Sequence, residues 1–364
     1  MNLAETLVYA DIKQLHQLAA AYSLTCNVHS KNELIQSLHG RLTSKSKLDE
    51  QRVSLSWEEK RFLLQVVYES RAEYTLEMLL SKARKACIDG DKGEKRTALL
   101  EHSLANGWIF RLHTGQTLKY VMPADIRSQW REIFVKEAQA NAYGNYTPES
   151  FDSGVGALTD DLFTFLRYVS CHQVSLSKEG VMYRNHQQRM MSLFQVSEAF
   201  PDRKEWRFGY GRRFRDYPDR FALLYDYAHH RRLIREKPDE GLSVTEEGLR
   251  IVQQGSGQTE EILDDLFAFW MLSYRKAIPA LSSLCLFIAR ICENNWIPES
   301  TLVPALVNWT VPFYYDKQEE IVRRRLLAMM AHLGVLYKGQ NADAGNVYML
   351  TDRGKSLLSK GTNL

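Results

Sequence analysis

Three segments of this 364-residue chain repeat one order of patterns, and this self-similarity constrains the fold more than any other feature. Each segment begins with a helical stripe in which an arginine precedes two adjacent leucines, as with Arg96, Leu99 and Leu100. The apolar period then changes from 3.6 to 2, and a turn rich in Gly, Asp and Asn separates two short apolar runs. The segments span residues 95–130, 219–252 and 322–358. The pattern predicts helix, strand, turn and strand three times.

Further helices are predicted before and after each of these segments. The closing helices start at Pro123, Thr245 and Thr351, and both threonines are candidate N-caps with an acidic residue close behind. The upstream helices cover residues 75–88, 160–172, 184–196 and 280–295. Helices followed by a β-hairpin are typical of the winged helix, in which the hairpin, or wing, covers one side of a small helical bundle. We therefore predict a mainly α protein built from tandem winged-helix units.

The N-terminal residues follow a different pattern. A short apolar stripe with Leu15 and Leu18 is followed by the extended run TCNVH and then by a second helical stripe. Ser30, with Glu33 three residues later, has the spacing of a capping box that opens this second helix. The start of the chain is therefore predicted to be a helix-extended-helix motif. The polar stretch 43–52 after it is predicted to be a linker.

Breaks in the pattern divide the chain into four parts. Residues 144–156 contain three Gly and one Pro without a helical stripe, and residues 255–259 read GSGQT, so both are predicted breaks. The third unit opens with an amphipathic acidic-apolar helix over residues 260–274. The predicted parts are the N-terminal motif (1–43), the first unit (55–140), the second unit (155–255) and the third unit (258–364).

The composition is that of a soluble globular protein. Apolar residues make up 45% of the chain and charged residues 25%, and the net charge of +3 does not by itself argue for nucleic acid. Five cysteines without a C-x-x-C spacing indicate reduced thiols, and no metal or cofactor site is predicted. Neither a signal peptide nor a membrane span is recognised, which predicts a cytoplasmic protein, with nucleoid association as a compatible location.

Two resemblances add to this interpretation. DIKQLHQLAAAYSLTCNVHSKNELIQSL resembles the helix-extended-helix motif of SAP domains and of the N-terminal domain of the Rho transcription terminator. That resemblance implies contacts from Lys31 and Arg41 to a DNA or RNA backbone, or else a protein-docking module of the same fold. The endings YMLTDRGKSLL and LSVTEEGLRIV resemble the helicase-associated winged-helix domains of bacterial xeroderma pigmentosum B-type helicases. This second resemblance implies a helicase, transcription or repair protein as a partner.

The helicase motor itself is absent from the sequence. A phosphate-cradling loop needs G-x-x-x-x-G-K-[ST], whose backbone N–H groups surround the phosphates and whose lysine reaches them. Gly354, Lys355 and Ser356 match the end of this signature, but Met349 stands where the first glycine is required. No nucleotide site is therefore predicted, and no motif of a hydrolase or metalloprotease is found.

The first candidate site is WRFGYGRRFRDYPDR, residues 206–220. Residues 203–235 contain ten Lys or Arg against four acids, a local net of +6 that favours phosphate. The interleaved aromatic side chains could stack on unpaired bases. The alternatives are an acidic protein partner or a solvated surface. The residues assigned to nucleic-acid contact here are Arg207, Tyr210, Arg212, Arg213 and Arg215.

The second candidate site is the start of the helix predicted over residues 184–196. Arg184, Asn185 and Arg189 are types that donate to phosphates and to base edges. The first turn of a recognition helix is where such residues lie in a winged helix. The alternative is an ordinary solvated helix face.

These features favour a non-enzymatic accessory protein that binds nucleic acid, with DNA as the preferred ligand. The first alternative is a protein-interaction scaffold that uses the helix 260–274 as its contact. The second is a metal-dependent nuclease that uses paired acids, which lie at 160–161, 260–261 and 264–265. The sequence leaves open DNA or RNA, single or double strand, and the oligomeric state.

Overall fold

The fold is mainly helical, with 59% of residues in helices and 12% in strands that form small sheets. The computed structural model describes residues 1–364 except 28–29, 70, 89–92, 115–116, 143, 153–155, 203–208, 238–240, 256–258 and 361–364. The buried apolar side chains form one continuous core that runs through the N-terminal motif and all three units.

The two helices predicted for the N-terminal motif are present, with an additional helix before them, while part of the predicted extended run (28–29) lies outside the described residues. These elements are α1 (Leu3–Tyr9), α2 (Ile12–Ala21) and α3 (Lys31–Leu42). The Ser30 side chain accepts a hydrogen bond from the N–H of Glu33, as predicted. The Glu33 carboxylate, however, accepts from the N–H of Asn27 at 3.3 Å, while Ser30 N–H donates to the Asn27 carbonyl. The capping box is therefore only half formed.

The linker predicted over residues 43–52 is wrong, because helix α4 (Lys45–Ser54) occupies most of it. Leu48 is buried on this helix. The Gln51 side chain donates to Tyr22 Oη at 2.9 Å and accepts from Trp108 Nε1 at 3.2 Å. Leu48 and the Gln51 amide are therefore the groups that attach this helix to the rest of the protein. A single buried position is too little periodicity to be recognised in the sequence.

The three units follow in order along the chain. The first unit contains α5 (Trp57–Val67), α6 (Leu76–Ala86), α7 (Gly93–Ala105), β1 (Phe110–Thr114), β2 (Thr117–Val121) and α8 (Ala124–Gln139), and is followed by β3 (Ser150–Asp152). The second unit contains α9 (Ala157–Cys171), α10 (Arg184–Leu193), α11 (Asp219–His230), β4 (Ile234–Lys237), β5 (Gly241–Val244) and α12 (Glu246–Gln254).

The third unit differs by a longer helical start and by a π-helical turn. It contains α13 (Thr259–Tyr274), α14 (Leu281–Ile291), β6 (Ile297–Pro298), α15 (Glu299–Val307), α16 (Gln318–Glu320), a π-helical segment (Ile321–Leu327), α17 (Ala328–His332), β7 (Leu336–Asn341), β8 (Gly345–Leu350) and α18 (Asp352–Lys360). The predicted hairpins and closing helices are thus present in all three units. Each hairpin is antiparallel, with the pairs β1–β2, β4–β5 and β7–β8.

The endings of the second and third units show why threonine and glycine recur there. Thr245 and Thr351 cap α12 and α18, and each side chain accepts the N–H of the glycine three residues later, Gly248 or Gly354. A Cβ on either glycine would lie 2.3 Å from a carbonyl oxygen at the start of the hairpin. The helix can therefore approach the hairpin this closely only where the residue has no side chain.

Residues 144–156 are not only a break between units, as the sequence predicts. Strand β3 within this stretch pairs antiparallel with β7, with Phe151 opposite Gly339. The third unit therefore has a four-stranded sheet in the order β3-β7-β8-β6. A three-residue strand has no recognisable period, and its partner lies almost 190 residues away, so only the tertiary structure reveals it.

The acidic-apolar helix α13 is present, but its apolar face is already covered. Leu263, Leu266 and Trp270 are fully buried, and the helix packs against α9, α11 and α14. Docking through this apolar face would require breaking the core, so a protein contact made by α13 would have to use its exposed residues, such as Glu260 and Glu261.

Two adjacent residues at the start of α11 make ion pairs in different directions, Arg220 within the second unit and Asp219 to the third. Arg220 is 1% exposed and pairs with the fully buried Asp161 of α9. Asp219 accepts a hydrogen bond from Arg324 at 2.9 Å and forms an ion pair with Arg325 at 2.7 Å, both in the π-helical segment. A buried pair of this kind is sensitive to the loss of one partner, because the remaining charge is left without compensation in a poorly hydrated site.

Asp161→Ala is expected to lower the free energy of unfolding by about 3–5 kcal/mol, since it strands the buried Arg220 guanidinium. Urea denaturation followed by circular dichroism measures this change. Asp160→Ala is the matched control, because Asp160 is the exposed neighbour on the same helix turn, and it is expected to cost less than about 1 kcal/mol. Equal costs for the two variants would contradict the role given to the pair.

Candidate nucleic-acid interface

Arg212 and Arg213 are held against the hairpin of the second unit. Arg212 binds both carboxylate oxygens of Glu236 on β4, at 2.7 and 2.5 Å. Arg213 is 6% exposed, reaches the same carboxylate at 3.2 Å and donates to the Glu179 carbonyl at 2.9 Å. Burial alone would raise the pKa of Glu236, but the bonds from Arg212 and Tyr225 and the charge of Arg213 lower it to about 2.

The backbone of the same segment is held by a second carboxylate. Asp226 of α11 accepts the N–H groups of Arg212 at 2.6 Å and Arg213 at 3.1 Å. Gly211 has φ of +103°, and a Cβ there would lie 2.4 Å from Asp226 Oδ2, so glycine is required at this position. Burial raises the pKa of Asp226 to about 6 despite these hydrogen bonds. Gly211 thus serves internal packing.

Tyr210 does not provide the base-stacking surface that the sequence predicts. Its side chain is 3% exposed and its ring lies 4.9 Å from both the Phe214 and Tyr274 rings. The buried Arg325 guanidinium lies 4.5 Å from the centre of the same ring. Aromatic burial and a cation–π contact stabilise this arrangement, so the ring contributes to the core and not to a surface.

The interpretation of residues 206–220 as an exposed basic loop is therefore corrected. Arg213 is buried and Arg212 is paired, while Arg215 is exposed. Arg207 lies outside the described residues, as do Trp206 and Phe208. The local net charge overstates the positive potential, because Glu236 and Asp161, which neutralise three of its arginines, come from beyond the 203–235 window.

Helix α10 exposes the second predicted set. Arg184, Asn185 and Arg189 are exposed, while Met190 and Met191 face the core. The sequence of this helix, RNHQQRMMSL, contains no acidic residue. The Arg184 guanidinium stacks on the Phe200 ring at 3.5 Å, which fixes its direction.

The position of α10 along the chain is as predicted, but it does not suit the recognition role that was predicted for this helix. The helix directly before the hairpin, which carries the recognition role in a winged helix, is α11 and not α10. All residues of α11 from Arg220 to Ala228 are buried. α11 therefore offers no face for a groove in this unit, whereas α10 does.

A cleft of about 710 Å³ opens beside the start of α10. It brings together Arg184 and Arg215, two of the predicted residues that lie 31 positions apart. Gln187 lies on its wall and donates to the Met182 carbonyl at 2.7 Å, and its buried Oε1 has no donor in the described part of the chain. The acidic wall residues are Glu179, Asp202 and Asp216.

Lys31 and Arg41 lie on α3, in a different part of the molecule. Lys31 Nζ donates to the Val8 carbonyl at 2.8 Å, and Arg41 is exposed. The N-terminal motif is docked on the first unit, where the Gln14 side chain donates to the Ile109 carbonyl and accepts from the Arg111 N–H. Lys31 and Arg41 therefore lie beside the first unit, whereas the predicted residues of α10 lie in the second unit.

Two exposed tyrosines were not predicted as functional residues. Tyr314 and Tyr315 are 70% and 68% exposed, in a turn closed by the bridge between Phe313 and Asp316. Tyr314 has φ of +49°, a left-handed conformation that an aromatic residue adopts only under constraint. Phe313 packs against Tyr210 and fixes the turn to the core. The adjacent aromatic pair in PFYYDK was the signal available in the sequence.

Of the paired acids considered for a nuclease, three carboxylates form ion pairs with arginines. Asp161 pairs with Arg220, Asp264 binds Arg353 at 2.6 Å, and Asp265 binds Arg231 at 2.9 Å. In the described ranges no group of three or more His, Cys, Asp or Glu side chains is arranged to hold a metal ion.

Comparison with known proteins gives no further assignment. A scan against protein-family models finds no match, and a search of the curated proteins finds no relative of this chain. None of the described helices has both the length and the apolar content needed to cross a bilayer.

Glu236→Gln is expected to remove a pH-dependent part of the stability. The pKa of Glu236 is lowered to about 2 in the fold, so its contribution is complete above about pH 5 and disappears as pH falls towards 2. The free energy of unfolding should therefore differ between wild type and variant by about 1–2 kcal/mol at pH 6, allowing for solvent screening, with the difference shrinking in acid. Urea titrations at several pH values measure it.

Glu247→Gln is the control for this titration, since Glu247 pairs with Arg250 on an exposed helix face. Its difference from wild type should stay small at every pH. A Glu236→Gln difference that does not change with pH would contradict the proposed coupling.

Proposed function

We propose that this chain is a non-enzymatic nucleic-acid-binding accessory protein, with DNA as its preferred ligand. One observation carries the proposal: α10 presents exposed Arg184, Asn185 and Arg189 on a helix without acidic residues, beside a cleft that adds Arg215. Arginine suits phosphates and guanine edges, and asparagine suits adenine edges.

The geometry of α10 supports a contact between one exposed face of the helix and nucleic acid. Asn185, Gln188 and Arg189 are spaced three and four residues apart and therefore share one exposed face. The positive end of the helix dipole and the N–H groups of the first turn are directed towards the same end as Arg184, which favours a phosphate there. Lys31 and Arg41 on the N-terminal motif would supply a second contact, so that two modest sites act on one strand.

The order of elements supports tandem winged-helix units as the framework. In each unit a short extended segment between two helices pairs with the second hairpin strand, as with Tyr74 and Tyr120, Val174 and Leu242, and Ile297 and Tyr348. The shared order is compatible with a relation to helicase-associated domains and with a helicase, transcription or repair protein as a partner. A cytoplasmic or nucleoid location is part of the same proposal.

Arg189→Glu is expected to weaken binding to labelled duplex DNA about tenfold and to reduce the slope of log K against log salt by about 1. Arg189 is exposed and makes no ion pair within the ranges described, so the fold should be unaffected. Fluorescence anisotropy across a salt series measures both quantities. Arg213→Glu is unsuitable as a test, because it would bury a negative charge beside Glu236.

Lys136→Glu is the matched control, since it makes the same charge change at an exposed position of α8 in the first unit. It should alter the affinity less than Arg189→Glu. The probes are duplex, single-stranded and forked DNA, and RNA. If none of them binds at low salt, the proposal is wrong and the scaffold alternative is favoured.

Tyr315→Ala is expected to weaken binding to single-stranded DNA by roughly 5-fold to 150-fold, the range for losing one stacked base, and to leave duplex binding nearly unchanged. Tyr315→Phe should keep the affinity, because the ring supplies the stacking. A parallel loss on both probes, or no loss on either, would remove this residue from the interface.

A further inference from the structure

A group of cations surrounds the turn that follows α5, on the side where the first unit contacts α14 of the third. Arg127 of α8 donates to the carbonyls of Glu69 at 2.6 Å and Arg71 at 2.9 Å. Arg131, one turn further along α8, donates to the Val67 carbonyl at 3.0 Å. Neither arginine forms an ion pair within the described residues. Because their acceptors carry no net charge, both guanidinium groups are oriented but not neutralised.

One carboxylate lies inside this group. Glu69 pairs with Arg71 at 3.1 Å and also with Lys82 of α6. The single negative charge of Glu69 therefore stands against four positive ones. These belong to Arg71, Lys82, Arg127 and Arg131.

The third unit adds Arg290 of α14 to the group. The Tyr68 ring contacts both sides: the Arg131 guanidinium lies 5.5 Å from its centre, and the Phe287 ring of α14 lies at 5.6 Å. Arg290 follows Phe287 by three residues, so the two share one face of α14, and the Arg290 side chain is 55% exposed. Burial, together with the positive charges of Arg127 and Arg290, lowers the pKa of Arg131, as expected where like charges lie close together.

Few acids offset these charges. Glu293 pairs with Arg290 at 2.8 Å. Glu132 is the next residue after Arg131 on α8, so its side chain leaves the helix about 100° away. Five cations thus stand against the two carboxylates of Glu69 and Glu293. We call the five cations the basic surface, and they are Arg71, Lys82, Arg127, Arg131 and Arg290.

The basic surface lacks an apolar anchor. Among the residues that the structure describes, no strongly exposed large apolar side chain lies on α8, on α14 or in the turn after α5. A docked protein segment generally buries aromatic or other apolar side chains at the centre of the contact. A chain of phosphates needs only distributed cations, and arginine offers parallel N–H groups to phosphate oxygens. The surface therefore suits a nucleic-acid backbone better than an acidic protein.

We propose that the basic surface binds the sugar-phosphate backbone of nucleic acid irrespective of sequence, in addition to the contact made by α10. The inference rests on the proposed function, since it assigns the first and third units to the ligand already given to the second. Backbone contacts of this kind supply affinity and position, whereas base contacts supply specificity. Lys136, the control for α10, lies on the opposite side of α8 from Arg127 and does not belong to the surface.

Arg290→Gln is expected to weaken duplex DNA binding about threefold to tenfold and to reduce the slope of log K against log salt by about 1. The loss should be equal for duplexes of unrelated sequence, because phosphates carry no sequence information. Arg250→Gln is the matched control: Arg250 also pairs with a glutamate three residues away on an exposed helix face, but in the second unit. It should leave both quantities nearly unchanged. Fluorescence anisotropy across a salt series measures them, and circular dichroism checks that both variants are folded.

Arg71→Gln tests the part of the surface in the first unit and should act like Arg290→Gln, since the Arg71 side chain is 59% exposed. If both variants match Arg250→Gln while Arg189→Glu weakens binding, the basic surface is overturned and the proposed function stands. If no DNA or RNA probe binds at low salt, both proposals are wrong. Polyglutamate binding that depends on Arg290, with DNA binding that does not, would overturn the inference in favour of an acidic protein partner.

Discussion

The adjacent residues Asp219 and Arg220 fix helix α11, Arg220 through an ion pair inside the second unit and Asp219 through ion pairs to the third. They begin α11 and face opposite ways: Arg220 reaches Asp161 on α9, and Asp219 reaches Arg324 and Arg325 in the third unit. The Glu198 carboxylate accepts the N–H groups of Arg220 and the following residue, which caps the helix. Burial of charges is tolerated here because each one meets an opposite charge or a hydrogen bond.

The fixed position of α11 explains why the most basic stretch of the sequence is largely internal. Once α11 is fixed, Asp226 on it binds the backbone of Arg212 and Arg213, and Glu236 on the next strand binds their side chains. A run of arginines is therefore a poor guide to a binding surface unless its acidic partners are known. The exposed arginines of α10, on a helix without acids, are better candidates for phosphate contact.

Local signals in the sequence determined the hairpins, the caps at Thr245 and Thr351, and the element order of the three units, because these depend on neighbours within a few residues. Only the tertiary structure decided that Tyr210 is buried, that β3 joins the sheet of the third unit, and which arginines keep an exposed charge. Those outcomes depend on partners tens to hundreds of residues away. Among the predicted site residues, the sequence identified the exposed set of α10 correctly as a surface but could not show that Arg215 lies beside it.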